Sequence, residues 1–120
     1  MTATSALGPD GPFSADPLFT PREQQLAMAE AVERALIERS TLLVEAGTGT
    51  GKTFAYLVPA LLACMRIIVS TGTKTLQDQL FHRDLPRVCK TLRIAPKKAL
   101  LKGRANYLCL HRLDVSEEQA

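Results

Sequence analysis

Residues 45–53 read Glu-Ala-Gly-Thr-Gly-Thr-Gly-Lys-Thr, and no other stretch limits the folding of this chain so narrowly. Glycines at 47, 49 and 51 let the backbone curl until several N–H groups face one anion. A short apolar run, Thr41 to Val44, precedes the loop, and a helix-like segment, Phe54 to Met65, follows it. That strand–loop–helix order separates a phosphate loop from a chance glycine cluster. The helix beginning near Lys52 adds the positive end of its dipole. Lys52 supplies a full charge for the β- and γ-phosphates, and the Thr53 hydroxyl can sit on a magnesium ion. The expected nucleotide site is therefore Ala46, Gly47, Thr48, Gly49, Thr50, Gly51, Lys52 and Thr53, with Lys52 and Thr53 as its catalytic pair. The general pattern G-x-x-x-x-G-K-[ST] has glycine where this chain has Ala46.

Alternation of strand-like and helix-like segments extends on both sides of the loop. Residues 1–19 carry Gly8, Pro9, Gly11, Pro12 and Pro17 and read as a flexible leader, its end pinned by Phe13, Leu18 and Phe19. Thr20-Pro21-Arg22-Glu23 reads as a capping box, opening a helix to about Arg39 with Leu26, Ala29, Val32, Ala35 and Leu36 on one face. Leu42 to Glu45, Arg66 to Val69 and Ala99 to Leu101 read as strands, the second β-branched and apolar on both faces as a buried parallel strand is. Between them fall helices from Lys52 to about Cys64, interrupted by Pro59, and after Thr73, with Leu76, Leu80 and Phe81 inward, then a short one over Leu85 to Thr91. The expected fold class is α/β, a parallel sheet with flanking helices.

Composition adds bounds. The chain has 120 residues, 46% apolar and 22% charged, as in an ordinary soluble domain. Net charge is a mild +3, but Arg83, Arg87, Lys90, Arg93, Lys97, Lys98, Lys102, Arg104 and Arg112 face only Asp84 across residues 83–112. That concentration suits a polyanion, or simply a solvated basic face. No signal peptide or membrane-length apolar run is visible, so the expected location is the cytosol. Cys64, Cys89 and Cys109 are too few and too scattered for a disulfide framework, and Cys64 reads as core.

Three further segments carry candidate chemistry. Gln25, in Arg22-x-x-Gln25-x-x-Met28-Ala29, offers a donor and an acceptor, the pair required by the edge of adenine. Ser70-Thr-Gly-Thr-Lys-Thr-Leu-Gln-Asp-Gln79 follows a strand and places hydroxyls and Lys74 where backbone phosphates bind. Lys102-Gly-Arg-Ala-Asn-Tyr-Leu-Cys109 ends in a cysteine that by itself is more often a packing residue than a ligand, with no C-x-x-C partner nearby.

In order and spacing, these four segments resemble the DinG/YoaA branch of the XPD-like superfamily 2 iron–sulfur ATP-dependent DNA helicases, over about residues 18–113. Ala46 is the form typical of superfamily 2 helicases, and the Lys-Gly-Arg-x-Asn-Tyr-x-Cys string points to the iron–sulfur branch. The resemblance implies a RecA-like P-loop NTPase domain in which Gln25 reads adenine, Lys52 grips ATP and Thr53 ligates Mg2+. It implies that Thr71, Thr73 and Lys74 lie along single-stranded or forked DNA. Cys109 would be the first of four ligands to a [4Fe–4S] cluster. The implied activity is ATP hydrolysis coupled to 5′-to-3′ movement on DNA in repair and replication, in the bacterial cytosol or nucleoid.

On that reading, residues 20–113 are the N-terminal part of the ATP-binding domain, with the iron–sulfur segment starting at about 102–113 and a truncated end at 114–120. The chain is then an N-terminal fragment cut before the Walker B strand, inactive alone, with an apolar edge left open. Two other readings stand beside it: a different P-loop enzyme such as a small-molecule kinase, and a non-catalytic nucleotide- or DNA-binding module.

Overall fold

A chain of this mass folded into one compact body exposes about 6,400 Å² and has a radius of gyration of about 14 Å. The computed structural model, which describes residues 1–49 and 51–119, has a surface of 9140 Å² and a radius of 18.0 Å. The excess identifies a molecule whose core lies in one part of the chain while other apolar segments remain uncovered. Its order is α1 (Ala3–Leu7), a 3-10 turn (Pro12–Ala15), α2 (Glu23–Glu38), α3 (Lys52–Leu62), α4 (Lys74–Gln79), a π turn (Leu80–Asp84), α5 (Leu85–Leu92), a 3-10 turn (Arg104–Asn106) and α6 (Leu110–Gln119).

The expected α/β fold with a parallel sheet is not what forms: among the described residues there is no strand. The three segments read as strands have no regular structure, with Leu43 97%, Ile68 93% and Leu101 83% exposed. The physical reason is the difference between local and non-local bonding. A helix satisfies its backbone four residues away, whereas a strand needs a paired neighbour and cover on its faces. Apolar composition on both faces signals a demand for burial, and here that demand is unmet.

Helix α2 packs along α3, and α1 lies across both. Ala29, Ala55, Leu57 and Val58 meet Ala3, Ala6, Leu7 and Phe13 in one buried cluster. Small side chains at 3, 6, 29 and 55 allow the helix backbones to approach closely. The segment expected to be a flexible leader is thus packed, and Phe13 and Leu7 are among the largest fully buried side chains. Phe13 and Phe19 pin it as expected, while Leu18 is exposed. A Cβ at Gly11 would stand 2.1 Å from the Ala6 carbonyl oxygen, so only glycine fits where the chain turns back over α1.

Several helix ends differ from the sequence reading. Helix α2 begins at Glu23 with Arg22 as an extended N-cap lacking a side-chain bond, so Thr20 does not cap it. It ends with Arg39 in the left-handed region, as α5 does with Arg93. Helix α3 stops at Leu62 and the chain turns left-handed at Cys64, which leaves that thiol exposed rather than in the core. Pro59 lies inside α3 and is buried. The helix after Thr73 runs on through the π turn into α5. There Leu85 N–H bonds five residues back to the Leu80 carbonyl, easing the entry of Pro86, which has no N–H of its own. Leu80 and Phe81 are half-buried, but Leu76 is 53% exposed.

Phe13→Ala should cost about 3–5 kcal/mol, the usual range for emptying a fully buried aromatic site. A urea titration followed by circular dichroism checks this; a midpoint equal to that of the unchanged chain would mean that the N-terminal packing contributes nothing.

Candidate nucleotide site

The loop before α3 is shaped by two glycines with positive φ, Gly49 at +77° and Gly51 at +73°. Gly51 is the N-cap of α3, and its carbonyl accepts the Ala55 N–H at 3.2 Å. The same carbonyl accepts Gln25 Nε2 at 3.1 Å, from α2. A Cβ at Gly51 would stand 2.2 Å from that nitrogen, so the bare glycine is what admits the glutamine. Gln25 is 4% exposed and is the one buried polar side chain in the core described. Its Oε1 is buried with no hydrogen-bond partner. An unpaired buried acceptor costs about 1–3 kcal/mol, so this oxygen is a place where a donor from elsewhere would be held strongly.

Lys52 is exposed and donates from Nζ to the Ala46 carbonyl at 3.0 Å, folding back over the mouth of its own loop. Thr53, half-buried, shares a side-chain hydrogen bond with Tyr56 one turn on. Burial raises the Tyr56 phenol above its ordinary range, and the bond to Thr53 opposes that rise. Gly47, Thr48 and Gly49 lie exposed along the loop, and Thr50 lies outside the described residues.

The structure brings Gln25, Ala46, Gly51 and Lys52 into one bonded unit. Thr71, Thr73 and Lys74 form a second. The Thr71 hydroxyl donates to the Thr73 carbonyl at 3.2 Å, and Thr73 Oγ1 caps α4 by accepting Leu76 N–H at 3.2 Å. Lys74 is exposed at the start of that helix. Cys109 is exposed in the third segment, where the Tyr107 hydroxyl accepts the Lys102 N–H at 3.0 Å. Helix α4 ties the second and third segments together: Gln77 Nε2 donates to the Leu101 carbonyl at 2.9 Å, and Asp78 Oδ1 stands 3.1 Å from Lys102 Nζ. The latter is an ion pair rather than an aligned hydrogen bond, since the same oxygen has no hydrogen-bond partner.

Sequence reading missed the surroundings of the loop helix. Phe54, next to Thr53, stacks on Phe19 and lies tilted against Phe13, and Arg87 lies 5.3 Å above the Phe54 ring. In sequence Arg87 is one member of a basic run. Its partner Asp16 lies 71 residues away, and no spacing rule could join them.

A glycine loop leads into α3, with the buried Gln25 held against it, which is the arrangement of a phosphate loop. The sequence model of the DEAD/DEAH box helicases matches residues 22–111, and the chain belongs to that family. It is 64% identical over 96 residues to the ATP-dependent DNA helicase YoaA of Haemophilus influenzae, covering 80% of this chain and 15% of that protein. It is 57% identical over 112 residues to YoaA of Escherichia coli, covering 92% of this chain and 18% of that protein. The ATP-dependent helicase DinG of Mycobacterium tuberculosis is 49% identical over 102 residues, 78% of this chain and 15% of that protein. The chain thus spans less than a fifth of the length of these relatives. No solved structure matches it.

Gly51→Ala should destabilise the chain by about 1–2 kcal/mol through the left-handed φ alone, and more through the collision with Gln25. Adding Gln25→Ala to it should recover part of that loss, as read in paired denaturation curves. A Gly51→Ala chain as stable as the parent would contradict the close approach of α2 to the loop.

Proposed function

We propose that this chain carries the ATP-gripping part of a DinG/YoaA-type ATP-dependent DNA helicase. The observation that carries this reading is the unpartnered buried Oε1 of Gln25, on a side chain whose Nε2 is committed to the Gly51 carbonyl. An acceptor so placed selects a donor, and the exocyclic amine of adenine is one; guanine offers a carbonyl at the equivalent position. Lys52 would exchange the neutral Ala46 carbonyl for phosphate oxygens, a stronger charge-assisted bond. The residues 46–51 loop would wrap the phosphates, and Thr53 would turn its hydroxyl from Tyr56 to magnesium. Among the described residues no three His, Cys, Asp or Glu side chains converge on a metal position. Thr53 would contribute its hydroxyl to a magnesium ion held on the phosphates.

For DNA the reading assigns Lys74 as the charge and the Thr71 and Thr73 region as backbone contacts, on a single strand or a fork. Movement in the 5′-to-3′ sense, and work on damaged or stalled replication DNA in the cytosol, complete the proposal. They rest on the resemblance of the four motifs. Turnover would belong to a longer protein, because the relatives are five- to sevenfold longer than the stretch they share with this chain.

The [4Fe–4S] group does not fit the described residues. Cys109 is exposed, but no second or third ligand stands with it, and Cys64 and Cys89 lie on α3's exit and in α5. Cys89 is buried, and burial pushes its thiol up, away from the thiolate that binds metal. The chain reconstituted with iron and sulfide should show no cluster absorbance. A stable brown species would contradict this.

Lys52→Ala should weaken ATP binding by about 10- to 150-fold, the equivalent of one charge-assisted contact. Gln25→Ala should abolish discrimination of ATP from GTP. Fluorescent-nucleotide titration of the chain reads both. Unchanged affinity in the lysine variant would remove the loop assignment, and equal binding of ATP and GTP by the parent would remove the adenine assignment.

A further inference from the structure

We propose that residues 1–19 form a positioning strap for the nucleotide site, latched by Asp16 and Arg87. This rests on the ATP-binding reading of the loop and adds to it a part of the chain that carries no nucleotide-binding motif. One end of the strap is tied to α2, where Ala3 N–H donates to Glu33 Oε1 at 3.0 Å. Its middle is fixed by burial of Leu7 and Phe13 and by the close turn at Gly11. Its far end reaches the first turn of α3. Phe13 and Phe19 lie 5.6 Å and 6.1 Å from Phe54, the residue after Thr53.

The latch closes over that aromatic group. Arg87, on α5, donates to Asp16 Oδ2 through both Nε, at 3.0 Å, and Nη2. Asp16 Oδ1 accepts Leu18 N–H at 2.9 Å, so both carboxylate oxygens are engaged. The Arg87 guanidinium also lies over Phe54. The strap therefore grips α2, which carries Gln25, together with α3, which carries Lys52, and joins both to α5. A site already ordered in this way pays less on binding its ligand than one that must be ordered by it. Asp16 and Arg87 are positioning residues: they act through Phe54 on the first turn of α3 and touch no nucleotide themselves.

The test is ATP titration of the 120-residue chain carrying Asp16→Asn or Arg87→Leu, beside Lys52→Ala and Arg87→Lys. Both latch variants should retain the parent's far-ultraviolet circular dichroism and bind ATP about tenfold more weakly, while Arg87→Lys stays nearer the parent. Parental affinity in Asp16→Asn and Arg87→Leu overturns the strap. If Lys52→Ala alone loses binding, the loop reading stands and the strap falls; if Lys52→Ala also binds like the parent, the loop reading falls first. Should the latch variants fail to fold, hydrogen exchange on the unaltered chain decides. Saturating ATP should slow exchange at residues 13–19, and unchanged exchange there overturns the proposal.

Discussion

The contact on which the rest of this structure depends is the approach of α2 to Gly51, the N-cap of α3. It exists because Gly51 has no Cβ and adopts a positive φ that other residues adopt at a cost of about 1–2 kcal/mol. Through that gap Gln25 reaches the Gly51 carbonyl, and the two longest helices of the core are held at one register. Ala29 and Ala55, both fully buried, keep the backbones close along the contact. The same contact leaves Gln25 Oε1 without a partner. A single constraint thus holds α2 against α3 and sets the Gln25 amide beside the glycine loop.

Around this contact the molecule divides by what each segment's bonds require. Helices complete their own backbones, so α1, α2, α3 and α5 assemble and bury Leu7, Phe13, Val58 and Val88. The segments around Leu43, Ile68 and Leu101 need partners at a distance and stand open. The Asp16–Arg87 pair sits between these regimes. Arg87 holds the Asp16 carboxyl below its ordinary range, helped by the Leu18 N–H. Such a depressed carboxylate contributes fully above the ordinary value of 3.8, and its contribution fades as pH falls through the lower folded value. Both groups are part-exposed, so packing of Phe13 outweighs the pair in stability while the pair sets direction.

The shape of the glycine loop was legible in sequence because its geometry is local. The glycine turns and the start of α3 follow from nine consecutive residues, and Gln25 reads as a donor–acceptor group although no spacing rule joins it to Gly51. Family membership follows from the same motifs. The lack of a sheet among the described residues was not legible, since residues such as Ile67 and Ile68 announce a need for cover without saying whether it is met. The leader was misread because Gly8, Gly11 and Pro12 suggest mobility by composition. In three dimensions Gly11 makes the close turn that buries Phe13. The apolar neighbours of Cys64 suggest a core position, but α3 ends two residues before it and the left-handed turn carries it out.

The most direct test of the account is hydrogen exchange of the chain with and without magnesium and ATP, resolved to peptides covering residues 22–29 and 46–55. The account predicts slowed exchange in both peptides together, because Gln25 and the loop act as one bonded unit. Protection confined to neither, or found only around residues 70–79, would contradict it.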